Sequence, residues 1–148
     1  MPTPHPTDPE FREAYGRAWS APDPASLVAF FAPDGTYSDV ARSDEYTGHP
    51  AIARFHGFML RFAPDSVIEF DTCHASAGRI YAEWIWYGTF SGSLQLPNGT
   101  LADANGREFR VPGIAACTYR QDGKLTSHRD FWDFATVLHQ AGVPIGAR

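Results

Sequence analysis

Apolar residues first recur at helical spacing. Phe11, Tyr15, Ala18 and Trp19 fall at i, i+4, i+7 and i+8 and give one apolar face. The preceding Thr-Asp-Pro-Glu predicts the helix start: Thr7 can cap, Glu10 follows three residues later, and proline is tolerated in the first turn. A second, short helix is expected where Asp23 caps, Pro24 begins, and Leu27, Phe30 and Phe31 bury; Ala32–Gly35 (APDG) predicts the turn that ends it. A short strand (TYSDV, 36–40) comes next. A third helix opens near His49-Pro50 with the stripe Ile52, Phe55, Met59 and Phe62, and Pro64 stops it.

Beyond Pro64 the period changes to two. Strands are predicted over 66–76, 79–91, 107–121 and 124–133. They are joined by SAGR, by a long loop with PNG and NG, and by QDGK, a strong hairpin signal because Asp-Gly suits a tight turn. FATVLHQAGV then predicts a short final helix, capped by Asp133 and ending near Gly142. Helices first and antiparallel strands after give an α+β class, with helices over one face of a curved sheet and room for a pocket between the layers. One domain spanning 1–148 is expected, with residues 1–6, rich in proline, as a frayed tail.

Side chains alternate across a strand. Thr126, His128, Asp130 and Trp132 therefore share a face, opposite Arg129, Phe131 and Asp133. Ala82, Trp84 and Trp86 share a face, as do Pro112, Ile114, Ala116 and Thr118, and Tyr37 with Asp39. Both faces are partly apolar, so parity alone does not choose the pocket side.

Composition narrows the partners. The net charge of −5 disfavours nucleic acid and anionic membrane surfaces. The start lacks the basic and apolar segments of a secretory leader, and no apolar run nears the ~20 residues of a membrane span. A cytoplasmic protein is expected, with Cys73 and Cys117 as free thiols. Aromatics reach 14%, enough to fill a core, line a cavity or build a dimer face.

Four stretches carry a resemblance: FFAPDGTYSD (30–39), YTGHPAIARF (46–55), YAEWIWYGTFSG (81–92) and YRQDGKLTSHRDFWDFATVLHQAG (119–142). The chain resembles the SnoaL-like branch of the nuclear transport factor 2-like superfamily, which holds polyketide cyclases, ketosteroid isomerases, epoxide hydrolases and dehydratases. The resemblance implies a cone-shaped α+β barrel, with a mostly antiparallel sheet wrapped around three N-terminal helices. It also implies a deep apolar cavity, a homodimer, no cofactor and a small apolar organic substrate. It makes Asp130 the cavity carboxylate and turns His128 and Trp132 inward with it. Asp39 matches the aspartate base of the ketosteroid isomerases, and Tyr15 their first-helix tyrosine; their second oxyanion donor, an aspartate, falls at Ala115 or Ala116. The histidine of the cyclases falls at Ala116. The arginine and aspartate of the epoxide hydrolases fall at Trp84 and Trp86, while Tyr37 and Asp39 match their first-strand tyrosine and asparagine.

The expected catalytic set is thus Asp130, Asp39, His128, Tyr15 and Tyr37. The expected cavity wall is Trp84, Trp86, Trp132, Ile114, Ala116, Trp19, Phe55 and Met59. Two carboxyls in an aromatic cavity raise each other's pKa and can divide acid and base roles between them. A proton-transferring isomerase or cyclase is the first expectation. A hydrolase or dehydratase on the same aspartates, and a non-catalytic binding or dimerisation module, stand as alternatives. No ligand spacing suggests a metal.

Overall fold

The computed structural model describes residues 2–96 and 99–143. Pro97 and Asn98 of the expected PNG turn lie outside the described residues. The elements are α1 (Phe11–Ser20), α2 (Pro24–Val28), β1 (Phe31–Asp39), β2 (Asp44–Thr47), α3 (His49–Phe62), β3 (Val67–Ser76) and β4 (Arg79–Thr89). They continue with β5 (Leu94–Gln95), β6 (Leu101–Ala102), β7 (Glu108–Tyr119), β8 (Leu125–Trp132) and α4 (Phe134–Gln140). The main sheet has the order β2-β1-β8-β7-β4-β3. All neighbours are antiparallel except β1 and β8, which run parallel and set Tyr37 beside His128 and Asp39 beside Asp130.

The helices cover the inner face. α1 packs on β3, and α3 lies along β1 and β2 and against α2. α1 buries Phe11, Tyr15, Ala18 and Trp19 as its period predicts, and α3 buries Ile52, Phe55, Met59 and Phe62. Each large ring removed from water contributes on the order of 2–3 kcal/mol. His56 is also buried, where its Nε2–H donates to the Trp19 carbonyl at 2.8 Å and straps α3 to α1.

Several local expectations hold. Asp23 Oδ1 accepts from Ala25 N–H, and Asp133 accepts from the Thr136 backbone and hydroxyl. The SAGR turn places Ala77 and Gly78 at positive φ, the geometry of a tight hairpin. Cys73 and Cys117 are free thiols, on strands separated by β4.

Others are corrected. α1 begins at Phe11, not at Thr7; the preceding residues form turns in which Asp8 accepts from the His5 N–H. Near the N-terminus the His5 ring meets Tyr119 and bonds the Gln121 carbonyl, and Lys124 Nζ donates to Thr3. APDG is part of β1 rather than a turn, with a register shift between Phe31 and Thr36 absorbing its irregular backbone. The polar strand β2 carries no alternation strong enough to predict it. The long loop folds into the β5–β6 hairpin and brings Leu94 to the inner face.

Candidate active site

One apolar cavity opens between the sheet and the helices. It is lined by Trp19 of α1, Tyr37 and Asp39 of β1, Phe55, Phe58, Met59 and Phe62 of α3, Ile68 of β3, and Trp84 and Trp86 of β4. Leu94, Asp130 and Trp132 complete the sheet side, while Arg42, Phe134 and Val137 close the end near α4. Its volume is about 50 Å³, room for a few waters. A ring-sized ligand requires the aromatic walls to part.

Six of the eight expected wall residues are there: Trp84, Trp86, Trp132, Trp19, Phe55 and Met59. Ile114 and Ala116 are not. Ile114 is 50% exposed and pairs with Phe131; Ala116 pairs with Arg129, so both lie on the outer face. The inward residues of β7 are Phe109, Val111, Gly113, Ala115 and Cys117. The reason is steric. A Cβ on Gly113 would stand 2.1 Å from the Trp84 ring, so the indole lies directly on this glycine and reaches across β7 to Asp130.

Asp130 is held on both oxygens. Oδ1 accepts from Trp84 Nε1–H at 2.9 Å and His128 Nε2–H at 2.7 Å, and Oδ2 accepts from the Tyr37 hydroxyl at 2.7 Å. His128 Nδ1 bonds the Tyr15 hydroxyl at 2.7 Å. Burial opposes a charged His128, but the adjacent Asp130 carboxylate, with Cys117 beside it, outweighs that and holds the imidazole up at about 10. The Asp130 contact thus favours the imidazolium form of His128. Burial, reinforced by Asp130, pushes the Tyr37 hydroxyl well above its ordinary value, so Tyr37 serves as a donor. Neither Tyr15 nor His128 reaches the cavity. The two expected there stand behind it and brace Asp130.

Asp39 is different. It is 2% exposed, and Oδ1 accepts from Trp132 Nε1–H at 2.7 Å. Oδ2 accepts no hydrogen bond among the described residues. Burial raises its pKa to about 6; the Trp132 bond opposes that rise and the Asp130 charge adds to it. Arg42, which sequence pattern did not single out, lies at the same end, over the Phe58 and Phe134 rings and 3.6 Å from Asp44. It follows β1 on a single 3-10 turn, where no period marks it. Among the described residues no group of three or more His, Cys, Asp or Glu gathers as a metal site.

The SnoaL-like domain family matches residues 11–128. The chain is a member of the SnoaL-like family. A steroid Δ-isomerase from Nocardioides simplex is 26% identical to this SnoaL-like protein over 109 residues, 74% of this chain and 76% of the relative. A protein of ketosteroid isomerase-like fold from Catenulispora acidiphila, crystallised with trimethylamine, superposes with a TM-score of 0.78 at 25% identity, covering 93% of this chain and 96% of that one. A Jannaschia protein assigned as a SnoaL-like polyketide cyclase gives a TM-score of 0.75 at 16% identity, covering 89% and 88%. The α+β fold with its curved sheet is shared with these structures. By name, the Nocardioides relative of this SnoaL-like protein is an isomerase.

Proposed function

We propose that this SnoaL-like protein is a cofactor-independent enzyme that moves a proton on a small, apolar, ring-containing carbonyl compound, with Asp39 as the base. The state of Asp39 carries the reading: a carboxylate buried among aromatic rings, raised to about 6, with one oxygen uncommitted on the cavity wall. A general base works best when its pKa lies near the working pH. On a β,γ-unsaturated ketone, Asp39 takes a proton from the carbon between the carbonyl and the double bond. The electron pair moves into the carbonyl oxygen as a dienolate. Asp39 then returns the proton to the γ-carbon, leaving the conjugated ketone. A cyclisation uses the same deprotonation: the carbanion attacks a second carbonyl of the same molecule, and the proton held by Asp39 passes to the alkoxide that results.

Asp130 is less suited to this step, because three donors already occupy its two oxygens. We assign it, with His128 and Tyr15, to positioning: it anchors Tyr37 and Trp84 in the wall, and its charge helps to raise Asp39. The same three donors stabilise the Asp130 anion, which makes it a weak base for activating a hydrolytic water. The experiment is a screen of β,γ-unsaturated cyclic ketones, followed by the appearance of conjugated-enone absorbance. Asp39→Asn is expected to lower turnover by about 10²–10⁴-fold; a variant as active as the wild type would refute the role.

A second copy of the chain is the partner we assign to the outer sheet face. Tyr81, Ile114 and Phe131 are each at least 40% exposed there, with Ile114 and Phe131 directly opposite each other. An apolar patch on one sheet face suits a symmetric partner.

A further inference from the structure

Trp86 carries a buried N–H with nothing to bond. The side chain is 8% exposed and lines the cavity, and its Nε1 has no hydrogen-bond partner among the described residues. Its ring neighbours are Phe62 at 5.8 Å, Phe109 at 4.6 Å and Trp132 at 5.7 Å, none of which offers an oxygen. Buried donors almost always find an acceptor, so an exception on a cavity wall points to an acceptor that enters the cavity, a water or a ligand.

Three other donors of the wall are committed. Tyr37 and Trp84 donate to Asp130, and Trp132 to Asp39. Arg42 stands over the Phe58 and Phe134 rings with its Nε 3.6 Å from Asp44, and it is a cation rather than a neutral donor. Trp19 Nε1 also has no hydrogen-bond partner among the described residues, but that ring packs against Tyr15, His56 and His128 rather than against the residue that holds Asp39. Trp86 instead meets Trp132 edge to face at 89°, and Trp132 is the residue that holds Asp39. The base and the unused donor are therefore separated by a single indole.

We propose that Trp86 Nε1–H is a further catalytic group, donating to the substrate carbonyl oxygen and to the enolate oxygen formed when Asp39 removes the proton. This rests on the proton-transfer reading of Asp39. The bond strengthens as negative charge gathers on the oxygen, which lowers the barrier rather than the ground state. The indole keeps its proton throughout, so the proton inventory of the reaction is unchanged.

Two measurements test it. The chain has four tryptophans, so ¹⁵N labelling of the indoles gives four side-chain resonances, with that of Trp86 identified by its loss in Trp86→Phe. Cyclohexanone should move the Trp86 indole proton downfield, whereas cyclohexene, of similar shape but without oxygen, should not. No downfield shift at Trp86 with cyclohexanone, or the same shift with cyclohexene, overturns the assignment. On a turned-over substrate, Trp86→Phe keeps an apolar ring and should lower kcat by about 100-fold with KM little changed; an unchanged kcat also overturns it. The downfield shift in a protein that isomerises no ketone would sink the activity assigned to Asp39 while upholding Trp86 as the oxygen-binding donor.

Discussion

Asp39 and Asp130 stand side by side on the parallel strands β1 and β8, and their surroundings are opposite in kind. Asp130 accepts three hydrogen bonds, one of them from an imidazolium; Asp39 accepts one, from an indole. Burial among rings and the neighbouring Asp130 charge disfavour the Asp39 anion, and the Trp132 bond and the Arg42 charge offset this only in part. Two residues of the same type on one sheet face thus divide into an anchor and a base. The division follows from which neighbours carry N–H and O–H groups.

Asp39→Asn should make the protein more stable as well as less active. The folded pKa of Asp39, about 6, lies above the ordinary value of 3.8, so the fold prefers the protonated form. That preference favours the folded state below pH 3.8 and is lost as pH rises through about 6. At neutral pH the charged Asp39 costs on the order of 3 kcal/mol, which the amide removes. Thermal denaturation at pH 8 and pH 4 checks this: the variant should melt higher than wild type at pH 8, with the difference shrinking towards pH 4. In wild type, kcat/KM should fall as pH drops through about 6; a pH-independent profile would argue against Asp39 as base.

His128→Gln should destabilise in a pH-dependent way. The folded pKa of His128, about 10, lies above the ordinary 6.5. The stabilisation is therefore whole below pH 6.5 and is lost as pH rises through 10. Breaking a buried pair from one side costs about 3–5 kcal/mol. Urea denaturation at pH 6, 8 and 10 should show that deficit at pH 6, narrowing towards pH 10. A deficit that stays constant across this range would mean that His128 is neutral in the fold.

The inward face of β8 was legible because His128, Asp130 and Trp132 alternate cleanly with Arg129 and Phe131, and the resemblance chose the direction. β7 was not. Its two faces, Pro112-Ile114-Ala116 and Val111-Gly113-Ala115, are both apolar, and a larger residue looks like the better core candidate. The structure selects the smaller set because Trp84 needs the volume above Gly113. Period also cannot show that Tyr15 and His128 stop short of the cavity, since facing inward and reaching the wall differ by the ring of Trp19, which neighbours both. The unbonded N–H of Trp86 is likewise a property of its neighbours, not of its position in the strand.

Phe131→Arg should leave the fold intact and disrupt self-association. Phe131 is 40% exposed on the outer face, opposite Ile114, so the substitution opens no core cavity. Placed in a symmetric interface, the arginine would meet an apolar surface and, near the two-fold axis, its own copy. Sedimentation velocity should give twice the chain mass for wild type and the single-chain mass for the variant, with unchanged far-UV circular dichroism. Wild type sedimenting at the single-chain mass at tens of micromolar would remove the second copy from this face.

Gly113→Ala should act on the cavity through Trp84. The added methyl would lie 2.1 Å from the indole ring, well inside contact distance, and the ring is not the flexible end of a long side chain that can swing away. Either β7 bends outward or the indole lifts off β7, and lifting breaks its 2.9 Å bond to Asp130. Overpacking of this kind costs about 1–3 kcal/mol. The variant should therefore melt lower than wild type and lose near-UV circular dichroism from the displaced indole. The double variant Gly113→Ala/Trp84→Phe tests the cause, because the smaller ring returns space above position 113. Its stability loss should be smaller than the sum of the two single losses. Strict additivity would place the clash elsewhere.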